Sequence, residues 1–147
     1  MRSFPPAFDD RHDLAPVVVR CDYSDDDAFT AVVHALTRPF FIIRGPEWDG
    51  ATVGEVMAVA RCHPAVPVVF IADTRTMSSP EHPLLAVANT TPDDDDYAET
   101  TRAGRAFRVR PSAAHEVHGL LELLVAGFAG LAEQAAREPD QVYRGLR

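Results

Sequence analysis

The sequence contains no lysine, and all 14 of its basic residues are arginine. It has only two cysteines, Cys21 and Cys62, far apart and outside any CxxC or Cys/His ligand spacing. This spacing argues against a structural zinc site or a dithiol redox motif. No apolar run reaches the roughly 20 residues of a membrane span, and the first residues lack the apolar stretch of a signal peptide. We therefore expect a soluble, cytoplasmic protein.

Motifs for phosphates and nucleic acids are missing as well. The sequence has neither a P-loop nor a GxGxxG turn, so nothing in it predicts a nucleotide, and we expect no cofactor. The net charge is −8, whereas sequence-independent binding to nucleic acid or to an anionic membrane needs a basic surface. We expect neither nucleic acid nor membrane among its partners.

The composition that remains is typical of one globular domain. The chain has 147 residues, of which 46% are hydrophobic and 24% are charged, enough apolar character for a single core. Residues 1–15 are rich in proline and charge, which predicts a flexible N-terminal arm with little structure of its own. Residues 16–147 are then expected to form one domain.

Short β-branched runs alternate with amphipathic segments along this domain. The predicted strands are Val17–Cys21, Phe40–Ile43, Val68–Ala72, Leu84–Ala88 and Arg105–Arg110. One helix follows a cap at Ser24, another follows a capping box of Thr52 and Glu55, and a long last helix covers Ala113–Arg137. The order βαβαββα predicts an α/β fold with a mixed sheet of about five strands covered by helices. The same order is compatible with a thioredoxin-like core that lacks catalytic cysteines.

Two carboxylates follow strands that we expect to be neighbours. Asp22 follows the first strand and Asp73 follows the third, and open α/β sheets place ligands at the carboxyl ends of their strands. Paired acids there can shift each other's pKa values and support acid–base chemistry. Alternatively, each carboxylate caps the loop that it begins.

Further polar residues lie in the loops around these acids. Arg75 and His82 belong to the loop after the third strand, where they would hold an anion and transfer a proton, respectively. Trp48 and Asp49 lie in an earlier loop that could approach it and contact a ligand. No GxSxG elbow accompanies the serines of this region, so a hydrolase triad is not predicted.

Arginines alternate along the fifth predicted strand. Arg108 and Arg110 point to the face opposite Phe107 and Val109. They are candidates for binding an anionic ligand or an acidic partner. The alternative is charge compensation with the neighbouring Asp93–Asp96 run.

The last helix carries one arrangement with metal-ligand spacing. His115, His118 and Glu122 fall within a sector of about 60°, as metal ligands could. Because this sector lies away from the apolar stripe, we expect a solvated polar face unless another element covers it.

The chain resembles a family of small, functionally uncharacterised actinobacterial proteins, a domain of unknown function. The resemblance rests on VVRCDYSDDDAF, VFIADTRTMSSPEHPLLAV, RAFRVRPS and VYRGLR, in this order and at matching intervals. It covers most of the chain from Val17 onward. The resemblance implies a shared fold and supplies no mechanism.

Three functions are compatible with these observations. The first is a non-catalytic accessory or binding module that recognises a protein partner or a small ligand. The second is a small cofactor-independent enzyme of specialised metabolism that uses Asp22, Asp73, Arg75 and His82. The third is an acidic immunity or antitoxin protein that inhibits a basic nuclease. Burial of the Asp and His side chains would favour the enzyme, and the oligomeric state is left open.

Overall fold

A computed structural model describes residues 2–145 of the chain. Met1, at the start of the expected arm, and Leu146 and Arg147, at the end of the VYRGLR motif, lie outside the described residues. The fold is α/β, with one mixed sheet covered by helices. Within residues 2–145 its six strands are β1 Val17–Arg20, β2 Phe41–Ile43, β3 Val68–Ala72, β4 Leu84–Ala88, β5 Ala106–Val109 and β6 Val142–Tyr143.

The strand order in the sheet is β2-β1-β3-β4-β5-β6. β1 is parallel to both β2 and β3, β4 is antiparallel to β3 and β5, and β6 is parallel to β5. Parallel neighbours need crossovers, and the segments between β1 and β2 and between β2 and β3 supply them. The predicted mixed α/β sheet is confirmed. It has one strand more than predicted, since β6, with only two residues, is too short to give a strand pattern in the sequence.

In the described part of the chain, six α-helices accompany the sheet: α1 Asp26–Ala35, α2 Val53–Ala60, α3 Thr74–Ser78, α4 Tyr97–Thr100, α5 Ala114–Glu122 and α6 Phe128–Ala136. The predicted capping box of Thr52 and Glu55 begins α2. The cap of α1 is Asp25 instead of Ser24, since the Asp25 carboxylate accepts from the amide of Ala28 at 3.0 Å. Within the described chain, no helix has the length and apolar character that crossing a bilayer requires.

The predicted long last helix is wrong, because the chain forms α5 and α6 with a loop between them. α5 packs near β3, whereas α6 packs on β5 and β6. The interruption lets each helix bury its own apolar face against a different part of the sheet. Leu124 marks the turn with a left-handed backbone (φ 57°).

Each face of the sheet has its own apolar core. One core contains Val18, Phe70 and Phe107 from the sheet, with apolar residues of α1, α5 and α6 above them. The opposite core contains Val19 and Ile71 with residues of α2. Consecutive residues of β1 and β3 thus divide between the two cores, which is why these strands are apolar throughout.

The expected flexible arm is instead part of the second core. Residues Pro6–Asp10 form a 3-10 helix, and Phe4 and Phe8 are buried beside Trp48. The Phe4 ring also stacks on His63, with centroids 5.1 Å apart. Composition alone suggested an unstructured segment, but these two aromatic rings supply enough apolar surface to hold it against the sheet.

Candidate functional site

The carboxyl edge of the sheet collects several of the predicted site residues. β1 and β3 end there, and the antiparallel β4 begins there, so Asp22, Asp73 and His82 all leave the sheet at this edge. The side chain of Thr74, the residue next to Asp73, helps to lower the pKa of the Asp22 carboxyl. The expectation that the two acids share one edge agrees with this geometry.

Asp73 is held in a paired, capping arrangement. Its two carboxylate oxygens accept from Nη1 and Nη2 of Arg108, each at 2.8 Å. Oδ1 also accepts from the amide of Thr76 at 3.2 Å, which caps α3. The two side chains are 28% and 16% exposed, so the pair is largely shielded from water. Asp73 therefore has little freedom to move a proton.

The electrostatics of both acids favour the charged form. Burial raises the pKa of Asp73, but the hydrogen bonds and charge of Arg108 and the bonds from Thr76 outweigh it, so the pKa lies below its ordinary value. Hydrogen bonds from Ser24 likewise lower the pKa of Asp22. Neither carboxylate has the raised pKa of a general acid that works near neutral pH.

His82 fastens the loop between α3 and β4. Its Nδ1 lies 2.9 Å from the carbonyl oxygen of Thr76, and since a carbonyl only accepts, Nδ1 carries the proton. The hydroxyl of Thr76 donates to the carbonyl of Pro83 at 2.8 Å. His82 also has a left-handed backbone (φ 52°). These contacts give the imidazole a structural role in the bend.

Arg75 and Arg108 line one pocket beside β5, which we call the arginine pocket. Its volume is about 270 Å³, and its third polar residue is Gln141. The remaining lining is apolar, with Leu85, Phe107 and five alanines. The only hydrogen bond from the Arg75 side chain within residues 2–145 is a long one, 3.5 Å from Nη2 to the carbonyl of Asp140. The pocket thus joins an apolar interior to a guanidinium without an ion pair in the described structure.

A family described as "Domain of unknown function (DUF6924)" matches residues 15–146. The chain belongs to this family. Comparisons with curated proteins and with solved structures gave no significant match. The description of the DUF6924 family carries no activity.

Two of the expected ligand-binding residues of this DUF6924 chain lie away from the arginine pocket. Trp48 is only 1% exposed and belongs to the second core, so its ring is not accessible to a ligand. Its burial follows from the N-terminal segment, whose Phe4 ring lies 6.0 Å from it. Asp49 is exposed and follows the 3-10 helix Pro46–Trp48.

Arg110 lies one residue beyond β5, at the carboxyl edge. It is exposed and makes no ion pair with any described residue. Arg110 is close enough to Glu81 to help lower the pKa of that carboxyl, behind the stronger effect of Arg144. It does not line the arginine pocket.

The face with His115, His118 and Glu122 is not fully solvated, because another element of the chain covers it. His118 is fully buried, because the segment before β1 covers it and the carbonyl of Asp13 lies 2.8 Å from its Nε2. His115 and Glu122 are half-buried. Among the described residues, no group of three His, Cys, Asp or Glu side chains is arranged to hold a metal ion.

Gln141 and Thr76 belong to the site but are not among the residues predicted from the sequence. Gln141 lines the arginine pocket with a left-handed backbone (φ 62°), and it lies in a segment without periodicity. Thr76 is buried and connects Asp73 to Pro83. The position of Thr76, three residues after Asp73, is the capping-box spacing that could have identified it.

Proposed function

We propose that this protein is a non-catalytic binding module for a small organic anion, a carboxylate with an apolar body. The observation that carries the proposal is Arg75, a guanidinium without an ion pair among residues 2–145, on the wall of an otherwise mainly apolar pocket. Arginine binds carboxylates through two parallel hydrogen bonds, which fixes their orientation. The anionic group would lie against Arg75.

The pocket lining supports an apolar body for this ligand. Phe107, Leu85 and alanines such as Ala106 and Ala135 offer no hydrogen bonds from their side chains, so they favour a hydrocarbon or aromatic group. The volume of about 270 Å³ suits a ligand smaller than most drug-sized molecules. Gln141 could bond a second polar atom of the ligand.

A binding role is better supported than catalysis at this edge. Asp73 is paired with Arg108, and His82 is engaged with the Thr76 carbonyl. An enzyme of specialised metabolism would need one of these groups free to exchange a proton with its substrate. We also propose a cytoplasmic location, which the exposed free thiol of Cys62 supports, since thiols stay reduced there.

A panel of small carboxylates tests the proposal. Benzoate and hexanoate would be titrated against the protein by calorimetry, with benzamide, hexanamide and benzylamine as matched neutral and cationic compounds. We expect saturable binding of at least one carboxylate and none of the amides or the amine. At a ligand concentration of roughly 100 Kd, binding should raise the free energy of unfolding by about 2.7 kcal/mol.

Three variants locate the site. Arg75→Ala should weaken carboxylate binding at least tenfold, and Ala106→Phe should block the pocket while leaving Arg75 in place. Arg44→Ala is the matched control, because Arg44 is exposed and outside the pocket lining. Equal affinities for carboxylates and amides, or unchanged binding in Arg75→Ala, would contradict the proposal.

A further inference from the structure

A second concave surface lies at the opposite edge of the sheet, where β3 begins and β4 ends. Its volume is about 400 Å³, and we call it the acidic groove. Leu121 and Phe128, from α5 and α6, and Ala88 at the end of β4 give it an apolar floor. Asp94 and Asp96 line it from the loop before α4, and among residues 2–145 none of the lining residues is a cation.

The loop between α5 and α6 forms an apolar rim of this groove. Leu123, Leu124 and Val125 are 63%, 89% and 70% exposed, and Leu124 itself lines the groove. Three consecutive large apolar side chains in water are unusual on a monomer and mark interaction surfaces. The left-handed backbone of Leu124 (φ 57°) holds this rim in a conformation that leucine disfavours.

The loop before α4 forms the other rim, and most of its aspartates have no ion-pair partner among the described residues. Asp94 is used structurally, since its Oδ2 accepts from the Thr90 hydroxyl at 3.0 Å and from the Thr91 amide at 2.9 Å. Asp93, Asp95 and Asp96 are exposed, and within residues 2–145 they form no ion pair. Of these three, Asp96 lines the groove, and Asp93 and Asp95 lie in the same exposed loop.

The groove walls are already fixed by hydrogen bonds. The Asn89 side-chain amide lies 2.9–3.2 Å from the carbonyl oxygens of Ala60, His63 and Val66, and so holds the turn before β3 against the end of β4. Arg105 Nη2 donates to the carbonyl of Thr90 at 3.0 Å. A partner would therefore meet a preformed surface and pay little to order it.

We propose that the acidic groove docks a segment of a protein partner that carries arginine or lysine on either side of one large apolar side chain. The apolar side chain would pack on Leu121, Leu124 and Phe128, and the cations would face Asp93, Asp95 and Asp96. This interaction goes beyond the small-anion site, which lies at the other edge of the sheet. A second copy of the chain fits less well, because a symmetric contact through this groove would bring two acidic loops together.

A display library of random 12-residue peptides, selected on the full chain, tests the docking. Enriched peptides should carry at least two basic residues around a Leu, Met, Phe or Trp. In fluorescence anisotropy, their affinity should fall at least tenfold with Leu124→Asn and with the double change Asp95→Asn and Asp96→Asn. Asparagine tolerates the left-handed backbone, so loss of affinity in Leu124→Asn would report the side chain and not a refolded loop.

Val53→Asn is the matched control, since Val53 is also an exposed apolar residue but lies on α2, outside the groove. It should leave the affinity unchanged. No enrichment, enrichment of neutral or acidic peptides, or equal binding by wild type and Leu124→Asn would overturn the proposal. Sedimentation equilibrium tests whether a second copy of the chain occupies the groove instead. A dimer that Leu124→Asn dissociates would show that it does and would overturn the proposal of a peptide partner.

Discussion

Asp73 and Arg108 form a bidentate ion pair that spans β4, with both Nη–Oδ distances at 2.8 Å. Asp73 follows β3 and Arg108 belongs to β5, the two strands on either side of β4. The pair thus fastens three strands at the carboxyl edge. The pair also keeps the Asp73 carboxylate, which is the best placed for acid–base chemistry, from taking part in it.

Breaking this pair should destabilise the fold. Asp73→Asn keeps a good helix cap for α3 but loses the charge, so we expect the free energy of unfolding to fall by about 2 kcal/mol. Urea denaturation of Asp73→Asn, Arg108→Gln and the double variant gives the coupling energy. Additivity of the two single changes would mean that the ion pair contributes nothing to stability.

Acidification should destabilise the protein through His118. Burial lowers the pKa of this imidazole below its ordinary value, and the hydrogen bond to the Asp13 carbonyl only partly offsets the effect. Below a pH of about 6.5 the unfolded chain takes up a proton that the folded His118 resists, so the free energy of unfolding falls, by at most about 1.4 kcal/mol per pH unit.

The change His118→Gln removes this titration while keeping a donor for Asp13. The dependence of the free energy of unfolding on pH between 7 and 5 should become flatter in this variant. His34→Gln, on the exposed side of α1, is the control. The same slope in wild type and His118→Gln would show that His118 is not the group responsible.

The N-terminal segment should contribute to stability. Phe8 is 4% exposed and packs edge-on against Phe41, with ring centroids 5.6 Å apart. Phe8→Ala should lower the free energy of unfolding by about 3 kcal/mol, measured by urea denaturation. Asp10→Ala, exposed in the same 3-10 helix, should change it little. Equal stability of the two variants would show that the N-terminal segment does not contribute to the stability of the fold.

The backbone conformation of Leu124 should lower the free energy of unfolding. Because its backbone is left-handed, Leu124→Gly should raise the free energy of unfolding by roughly 0.5–1 kcal/mol. The neighbouring Leu123 has an ordinary φ of −88°, so Leu123→Gly should bring no gain. Thermal unfolding compares the stabilities of the two variants directly. A lower stability of Leu124→Gly would contradict the claim that the backbone of Leu124 is strained.

The architecture was predictable because the central strands are continuous apolar runs with clear caps between them. The break after α5 was not, since Leu120, Leu124 and Phe128 keep helical spacing across it, yet Leu124 points into solvent. Periodicity describes the face that a residue would occupy in a helix and says nothing of whether the helix continues.

The site was predictable only as separate residues. Asp73, Arg75 and Arg108 were identified from their places in the loop and strand, but the Asp73–Arg108 pair depends on the antiparallel register that places Arg108 opposite Leu85 of β4. The turn-rich loop around Trp48 predicts a ligand contact, yet the Trp48 side chain is buried. Its burial depends on the N-terminal segment, which composition did not reveal.

The most direct measurement is an NMR titration of the ¹⁵N-labelled protein with benzoate and hexanoate. Binding in the arginine pocket predicts saturable shifts of the Arg75 Nε–H and of the backbone amides of Phe107 and Gln141. The amide of Asn89, in the acidic groove, should stay unchanged. If neither carboxylate produces a saturable shift at Arg75, or if the shifts centre elsewhere, the binding function proposed for this pocket is contradicted.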